Sequence, residues 1–291
     1  MGNDSSSSPE RTPGLADTQF RVPVSALLPF LLITFSIAWG ILGLYIGLPQ
    51  RMSALFGELT GQHPLFYLAV YAPAIAAFVV VTLRGGLSGL LRFVSRIALW
   101  RCSISWYVFC IVGVPLVFLI GAALRGSFPG EGTGFTSLGA LLCASALMLI
   151  KGPVEEFGWR GLALPLLQRR LAPIWAGLVL GLIWGFWHLP AFLLSSTPQG
   201  GWAFAPFFVG SVAISVIATP MFNRARGSIL LPALFHFQLI NPLWPDAQPY
   251  DTYILVVAAV VIVWLNRMSM FTSADAVVRV IPAGTERSRG V

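Results

Sequence analysis

Two adjacent carboxylates, Glu155 and Glu156, follow directly on the apolar run SLGALLCASALMLIKGPV and precede FGWRGLALPLL, itself mostly apolar. Acidic groups are expensive to bury in such surroundings, so a pair in this position needs a reason. Arg160 lies four residues after Glu156, on the same helical face at salt-bridge spacing, whereas Glu155 is rotated away from it. The spacing divides the pair: Glu156 is held by Arg160, and Glu155 is left free for chemistry. Pro153 is suited to open a helix, whose first turn would favour negative charge. Two histidines also fall in apolar segments. His188 closes GLVLGLIWGFWHLPAF one turn after Trp184, and His236 lies in LLPALFHFQLINP with Gln238 and Asn241 as its polar neighbours. A lone buried histidine is commonly a hydrogen-bonded packing group. Two of them with a carboxylate pair and an arginine, drawn from separate segments, point to a common site, with helix-to-helix polar glue as the alternative.

A carboxylate beside a neutral imidazole can hold a water, take its proton as it attacks a peptide carbonyl, and return a proton to the leaving amine. A second histidine and an amide donor can stabilise the oxyanion. No serine or cysteine nucleophile is required, and no G-x-S-x-G elbow occurs. The leading reading needs no cofactor. Zinc held by Glu155, His188 and His236 is the other option, since catalytic zinc takes three protein ligands, although H-E-x-x-H is absent.

The elements that must position these groups are membrane helices. Of 291 residues, 56% are hydrophobic and 10% charged, with mean hydropathy +0.80, against roughly 25% charged in soluble domains. Apolar runs of bilayer-spanning length recur at about 24–47, 64–84, 104–124, 136–152, 173–194, 203–222, 228–241 and 252–267. They lack the alternation of barrel strands, so the expected fold is an all-α polytopic bundle of about eight transmembrane helices. The first run is too long for a signal-peptide core and is expected to be retained. Gly177, Gly181 and Gly185 form a small-residue stripe for close helix contact.

Arginines cluster in alternate connections: Arg84, Arg92, Arg96 and Arg101 after the second run, Arg160, Arg169 and Arg170 after the fourth, Arg224 and Arg226 after the sixth, and Arg267 and Arg279 after the last. By the positive-inside rule these face the cytoplasm, and so do both termini. The net charge of +7 is thereby explained without a nucleic-acid partner. Nine of the eleven acidic residues, among them Glu58, Glu131, Asp246 and Asp251, fall in tails or expected loops. Cys102, Cys110 and Cys143 show no C-x-x-C pairing and read as core residues. Seventeen of eighteen basic residues are Arg, Lys151 being the exception, which hints at a GC-rich bacterial genome and hence a multi-pass protein of the cell membrane. Residues 1–22 are expected to be a disordered cytoplasmic tail, 23–271 one membrane domain, and 272–291 a second flexible tail. No internal repeat supports a transporter of inverted-repeat design.

The motif Glu155-Glu156-Phe157-Gly158-Trp159-Arg160 resembles the E-E-x-x-x-R signature of the CPBP (Abi/CaaX-protease type) family of glutamate-dependent intramembrane endopeptidases. Trp184 to His188 is similar to its F-x-x-x-H signature, with Trp for Phe. The third signature, His followed four residues later by Asn, has its match in His236, but position 240 is Ile and the Asn is Asn241. The resemblance covers about 135–245. It implies an eight-helix fold with a conical cavity in which Glu155 activates water with His188, His236 and Asn241 line the oxyanion site with Gln238 as substitute, and Glu156, Arg160 and Trp184 support them. The implied partner is a membrane-associated protein or peptide, prenylated or not. Members linked to bacteriocin immunity or scaffolding leave a non-catalytic role as the alternative.

Overall fold

The computed structural model describes residues 21–127 and 137–283, so residues 1–20 and 284–291 of the expected tails and Glu131 lie outside the described residues. Eight apolar helices follow one another: α1 Val24–Gly47, α2 Pro64–Ala98, α3 Ile104–Arg125, α4 Leu138–Gln168, α5 Pro173–Leu193, α6 Phe204–Arg224, α7 Leu230–Leu239 and α8 Tyr250–Leu265. Six are long enough to span a membrane, and α7 and α8 are shorter. Among the described residues there are no strands, and the protein is a polytopic helical bundle. Pro64 and Pro173 start α2 and α5, where a missing N–H costs nothing. His63 caps α2 by accepting from Leu65 N through Nδ1.

Large exposed apolar side chains such as Leu28, Leu83, Ile104, Val108 and Val257 ring the outside, an arrangement suited to lipid rather than water. Inside, small residues bring helices together. Ser215 of α6 donates to Gly177 O of α5 at 2.9 Å, and a Cβ built on Gly181 would lie 2.7 Å from Val212 Cα. On α4 a Cβ at Gly158 would meet the Pro73 carbonyl of α2 at 2.5 Å. The four-residue spacing of Ser211, Ser215 and Thr219 along α6 matches this seam, with Thr219 Oγ1 returning to Ser215 O at 2.9 Å.

Three expectations need correction. First, α2 does not end near residue 84: it runs to Ala98, kinked at Gly86 (φ 59°), so Arg84, Arg92 and Arg96 sit on the helix rather than in a loop. Second, no new helix opens at Pro153. Gly152 is already helical (φ −68°, ψ −47°), and the chain passes through a 3-10 turn, Pro153–Glu155, and a π-helical turn, Trp159–Ala163, within one continuous α4. The carboxylates therefore sit inside a helix, where an N-terminal dipole does not help them. Third, the segment after 272 is docked as far as it is described. Val280 and Ile281 are buried, Arg96 donates to Val280 O at 2.9 Å, and Gln168 and Arg169 donate to Val277 O and Val278 O at 2.9 and 2.7 Å. Val22 is buried as well, its carbonyl accepting from Arg169. Backbone carbonyls, which composition does not reveal, hold both segments.

Replacing Gly181 by Val should lower stability by about 1–3 kcal/mol through overpacking against the α6 backbone. Gly43→Val, where nothing stands within 4 Å, serves as the control. Thermal unfolding in detergent reads the difference, and equal melting of the two variants would refute the tight α5–α6 contact.

Candidate active site

Glu156 is 1% exposed and is fully engaged on one oxygen: Oε1 accepts from Arg160 Nη1 at 2.9 Å and from His236 Nδ1 at 2.8 Å. The sequence-derived pairing with Arg160 is present, and α7 supplies a second partner. Glu155 is 4% exposed, and its Oε2 accepts from two indoles, Trp184 Nε1 at 2.9 Å and Trp159 Nε1 at 3.2 Å. The other oxygen, Oε1, accepts none of these bonds. The 3-10 turn and the π-helical turn give this stretch of α4 its geometry: Trp159 follows Glu155 by four, and Arg160 follows Glu156 by four. Such irregular turns recur at functional positions in helices.

Trp184 is the hub. Its indole N–H holds Glu155, its carbonyl accepts from His188 Nδ1 at 2.8 Å, and its ring lies 5.5 Å from each of the His188 and His236 rings, edge-on. The Arg160 guanidinium sits 4.8 Å from the same ring. A carbonyl and a carboxylate can only accept, so both histidines carry a proton on Nδ1 in these bonds, and a neutral His188 leaves its Nε2 as a lone pair. Nε2 of His236 lies against Gly152, where a Cβ would come within 2.8 Å of it.

These groups line one cavity of about 410 Å³ with Glu155, His188, His236 and Asn241 in its wall. A short α7 creates it. Ten residues rise about 15 Å, half of a hydrocarbon core of about 30 Å, and the chain from Asn241 to Pro249 is non-helical. Such backbone is tolerated where it lines a water-filled cavity. Asn241 turns its amide into that loop, accepting from Leu243 N at 3.1 Å and donating one hydrogen to Gln238 Oε1 at 3.0 Å. Gln238 supports Asn241 and does not itself line the cavity.

The zinc set does not assemble. Among the described residues no three His, Cys, Asp or Glu side chains are placed to hold a metal ion. As placed, Glu155, His188 and His236 do not fit that group.

Three participants went unread in the sequence. Trp159 was signalled by its i+4 relation to Glu155. Lys151, one turn before Glu155, is buried in the cavity wall with Nζ on Gly61 O at 2.7 Å and 4.7 Å from the Phe66 ring. Asp251, expected in a loop, lies in the first turn of α8, buried and also lining the cavity.

The architecture is thus that of a polytopic membrane protein with a carboxylate and imidazole site inside its helix bundle. Residues 136–240 match the Rce1-like family, described as type II CAAX prenyl endopeptidase Rce1-like. A CAAX prenyl protease 2 of Methanococcus maripaludis is 28% identical over 176 residues, covering 54% of this chain and 65% of that one, just under two thirds of its length. The similarity is thus confined to the segment that carries the three motifs.

Removing the cation from the buried pair tests its energetics. Arg160→Met leaves Glu156 buried without a permanent positive partner and should cost about 3–5 kcal/mol of stability. Exposed Arg51→Met should cost almost nothing. Unfolding in detergent with increasing denaturant measures both, and a stable Arg160→Met protein would refute the role given to the pair.

Proposed function

We propose that this protein is an intramembrane endopeptidase that hydrolyses a peptide bond of a membrane-associated protein or peptide by water activated at Glu155. The observation that supports it most is the shared cavity wall: the free oxygen of Glu155, His188 and His236 meet around Trp184 rather than facing lipid.

In this reading Glu155, held by two indole N–H groups through Oε2, takes a proton from water through Oε1. The water oxygen bonds to the scissile carbonyl carbon, and His188 orients the water through the Nε2 lone pair left by its bond to Trp184 O. The carbonyl oxygen becomes an oxyanion. His236, carrying a second proton on Nε2, and the remaining Asn241 amide hydrogen donate to it, while Glu156 supplies the negative charge that a protonated ring needs beside it. The C–N bond then breaks, and the proton on Glu155 passes to the amine nitrogen. Water and peptide become an acid and an amine, with Glu155 restored. No metal takes part in these steps.

The apolar cavity suits a lipid-embedded chain segment, and a prenyl group is one apolar moiety it would accept. The relative's printed name, CAAX prenyl protease 2, supports a substrate of that general kind.

Glu155→Gln should abolish hydrolysis while the protein still accumulates in the membrane. Comparing membrane peptide termini between wild type and this variant should reveal at least one terminus that disappears. Unchanged termini, with the physiological role intact, would favour the scaffold role instead. Trp184→Phe keeps the ring and removes one donor to Glu155. A hydrogen bond to a charged group contributes about 1.5–3 kcal/mol, so turnover should fall roughly ten- to hundred-fold. Turnover equal to wild type would remove Trp184 from the machinery.

A further inference from the structure

The two ends of the bundle differ in charge and in closure, and the cavity belongs to one of them. Its wall is drawn from the middle of α4, the C-terminal parts of α1, α3, α5 and α7, the N-terminal parts of α2, α6 and α8, and the connection after α7. Asp246, in that connection, has a side chain 51% exposed and also lines the cavity, which puts the mouth on this end. The end is pinned by its own contacts: Tyr45 to Gly57 O at 3.2 Å, Ser196 to Leu59 O at 2.7 Å, and Arg125 to Asp246 at 2.5 Å.

The opposite end carries the arginines. Arg92, Arg96 and Arg101 flank the turn from α2 to α3, Arg169 and Arg170 the turn from α4 to α5, and Arg224 and Arg226 the turn from α6 to α7, with Arg267 and Arg279 after α8. Among the described residues the cavity end has Arg51, Arg125 and the buried Lys151, against Glu58, Asp246 and Asp251. The arginine end is also shut. Arg96, 2% exposed, donates to Gly227 O, Gly161 O and Val280 O at 2.7, 2.9 and 2.9 Å, tying α2, α4, the α6–α7 turn and the C-terminal segment together beneath the site. Phe93, Ile229 and Trp159 fill the space around these bonds and are fully buried.

Arginines close to span ends orient a membrane protein with those ends in the cytoplasm. We infer that the cavity opens to the non-cytoplasmic face, so that the substrate is an exported, membrane-associated polypeptide whose scissile bond lies on or just within that outer face. The substrate class rests on the proteolytic reading above, whereas the sidedness stands without it. A polypeptide displayed in the cytoplasm would meet the Arg96 closure and the arginine-bearing turns before reaching Glu155. One reaching the site from outside, or laterally at that depth, meets the mouth at Asp246.

The test needs no activity. In a chain lacking native cysteines (Cys102→Ser, Cys110→Ala, Cys143→Ala), single cysteines are introduced as Ser195→Cys on the cavity end and Ser273→Cys on the arginine end, both exposed positions. A membrane-impermeant maleimide on intact cells should label Ser195→Cys at once and Ser273→Cys only after permeabilisation. The reverse pattern overturns the inference. If the cysteine-free chain fails to accumulate, an epitope inserted after Ser195 or after Ser273 in the otherwise unaltered chain gives the same reading with antibody on intact cells. A second arm separates sidedness from chemistry: termini lost in Glu155→Gln membranes should map to segments on the non-cytoplasmic side. Cytoplasmic termini would overturn the substrate class, and no lost termini at all, with correct labelling, would overturn proteolysis and leave the orientation standing.

Discussion

The Glu156 carboxylate is the junction on which the site depends. A carboxylate inside a membrane bundle is tolerated only with partners, and this one takes its partners from two helices, Arg160 on α4 and His236 on α7. That arrangement does more than neutralise charge. It fixes the rotation of α7 against α4, which brings the His236 ring edge-on to Trp184, and Trp184 in turn holds Glu155 and His188. The glycine at position 152 is part of the same junction, because any side chain there would displace His236 Nε2 or Ile240. A buried pair of this kind is a weak source of net stability but a strong source of unique geometry once one partner is in place.

The two neighbouring glutamates differ because of what each oxygen meets. Glu156 meets a guanidinium and an imidazole, closed away from the cavity. Glu155 meets two neutral indole donors on one oxygen and the cavity on the other side. Neutral donors hold a carboxylate in place without pairing its charge, which leaves it able to exchange a proton with whatever enters. A cation at Trp159 or Trp184 would have made a second structural pair from the same residue.

What could be read from the chain was whatever lies within a single helix. The eight apolar segments, the Glu156–Arg160 spacing and the Gly177, Gly181, Gly185 stripe are all periodic features of one helix face, and each has its counterpart in the structure. The pairing of His236 with Glu156 spans eighty positions and depends on how far α7 rotates, which no local pattern encodes. Asp251 read as a loop residue because an acidic side chain next to Tyr250 and Pro249 looks like a helix boundary; it is one, but the boundary lies inside the cavity. The docked C-terminal segment is held by side chains of Arg96, Gln168 and Arg169 reaching its carbonyls, so its own sequence carries little sign of the contact.

The length of α7 connects the fold to the chemistry. A full-length seventh helix would carry its hydrogen-bonded backbone through the volume where Asn241, Trp244 and Asp246 now line the cavity, and would seal Glu155 from water. A helix of ten residues leaves carbonyl and amide groups at a depth where lipid cannot satisfy them. Those groups are met instead by side chains of the connection itself, as Asn241 does for Leu243 N and Asp246 for Gln248 N at 3.2 Å, and by the water such a cavity admits. The cost of an unfinished helix thus falls on one end of the bundle, and that end is the one at which exposed Asp246 lines the cavity. Continuing α7 by a turn would relieve the backbone there, and it would also run into the volume of the cavity that Glu155 lines.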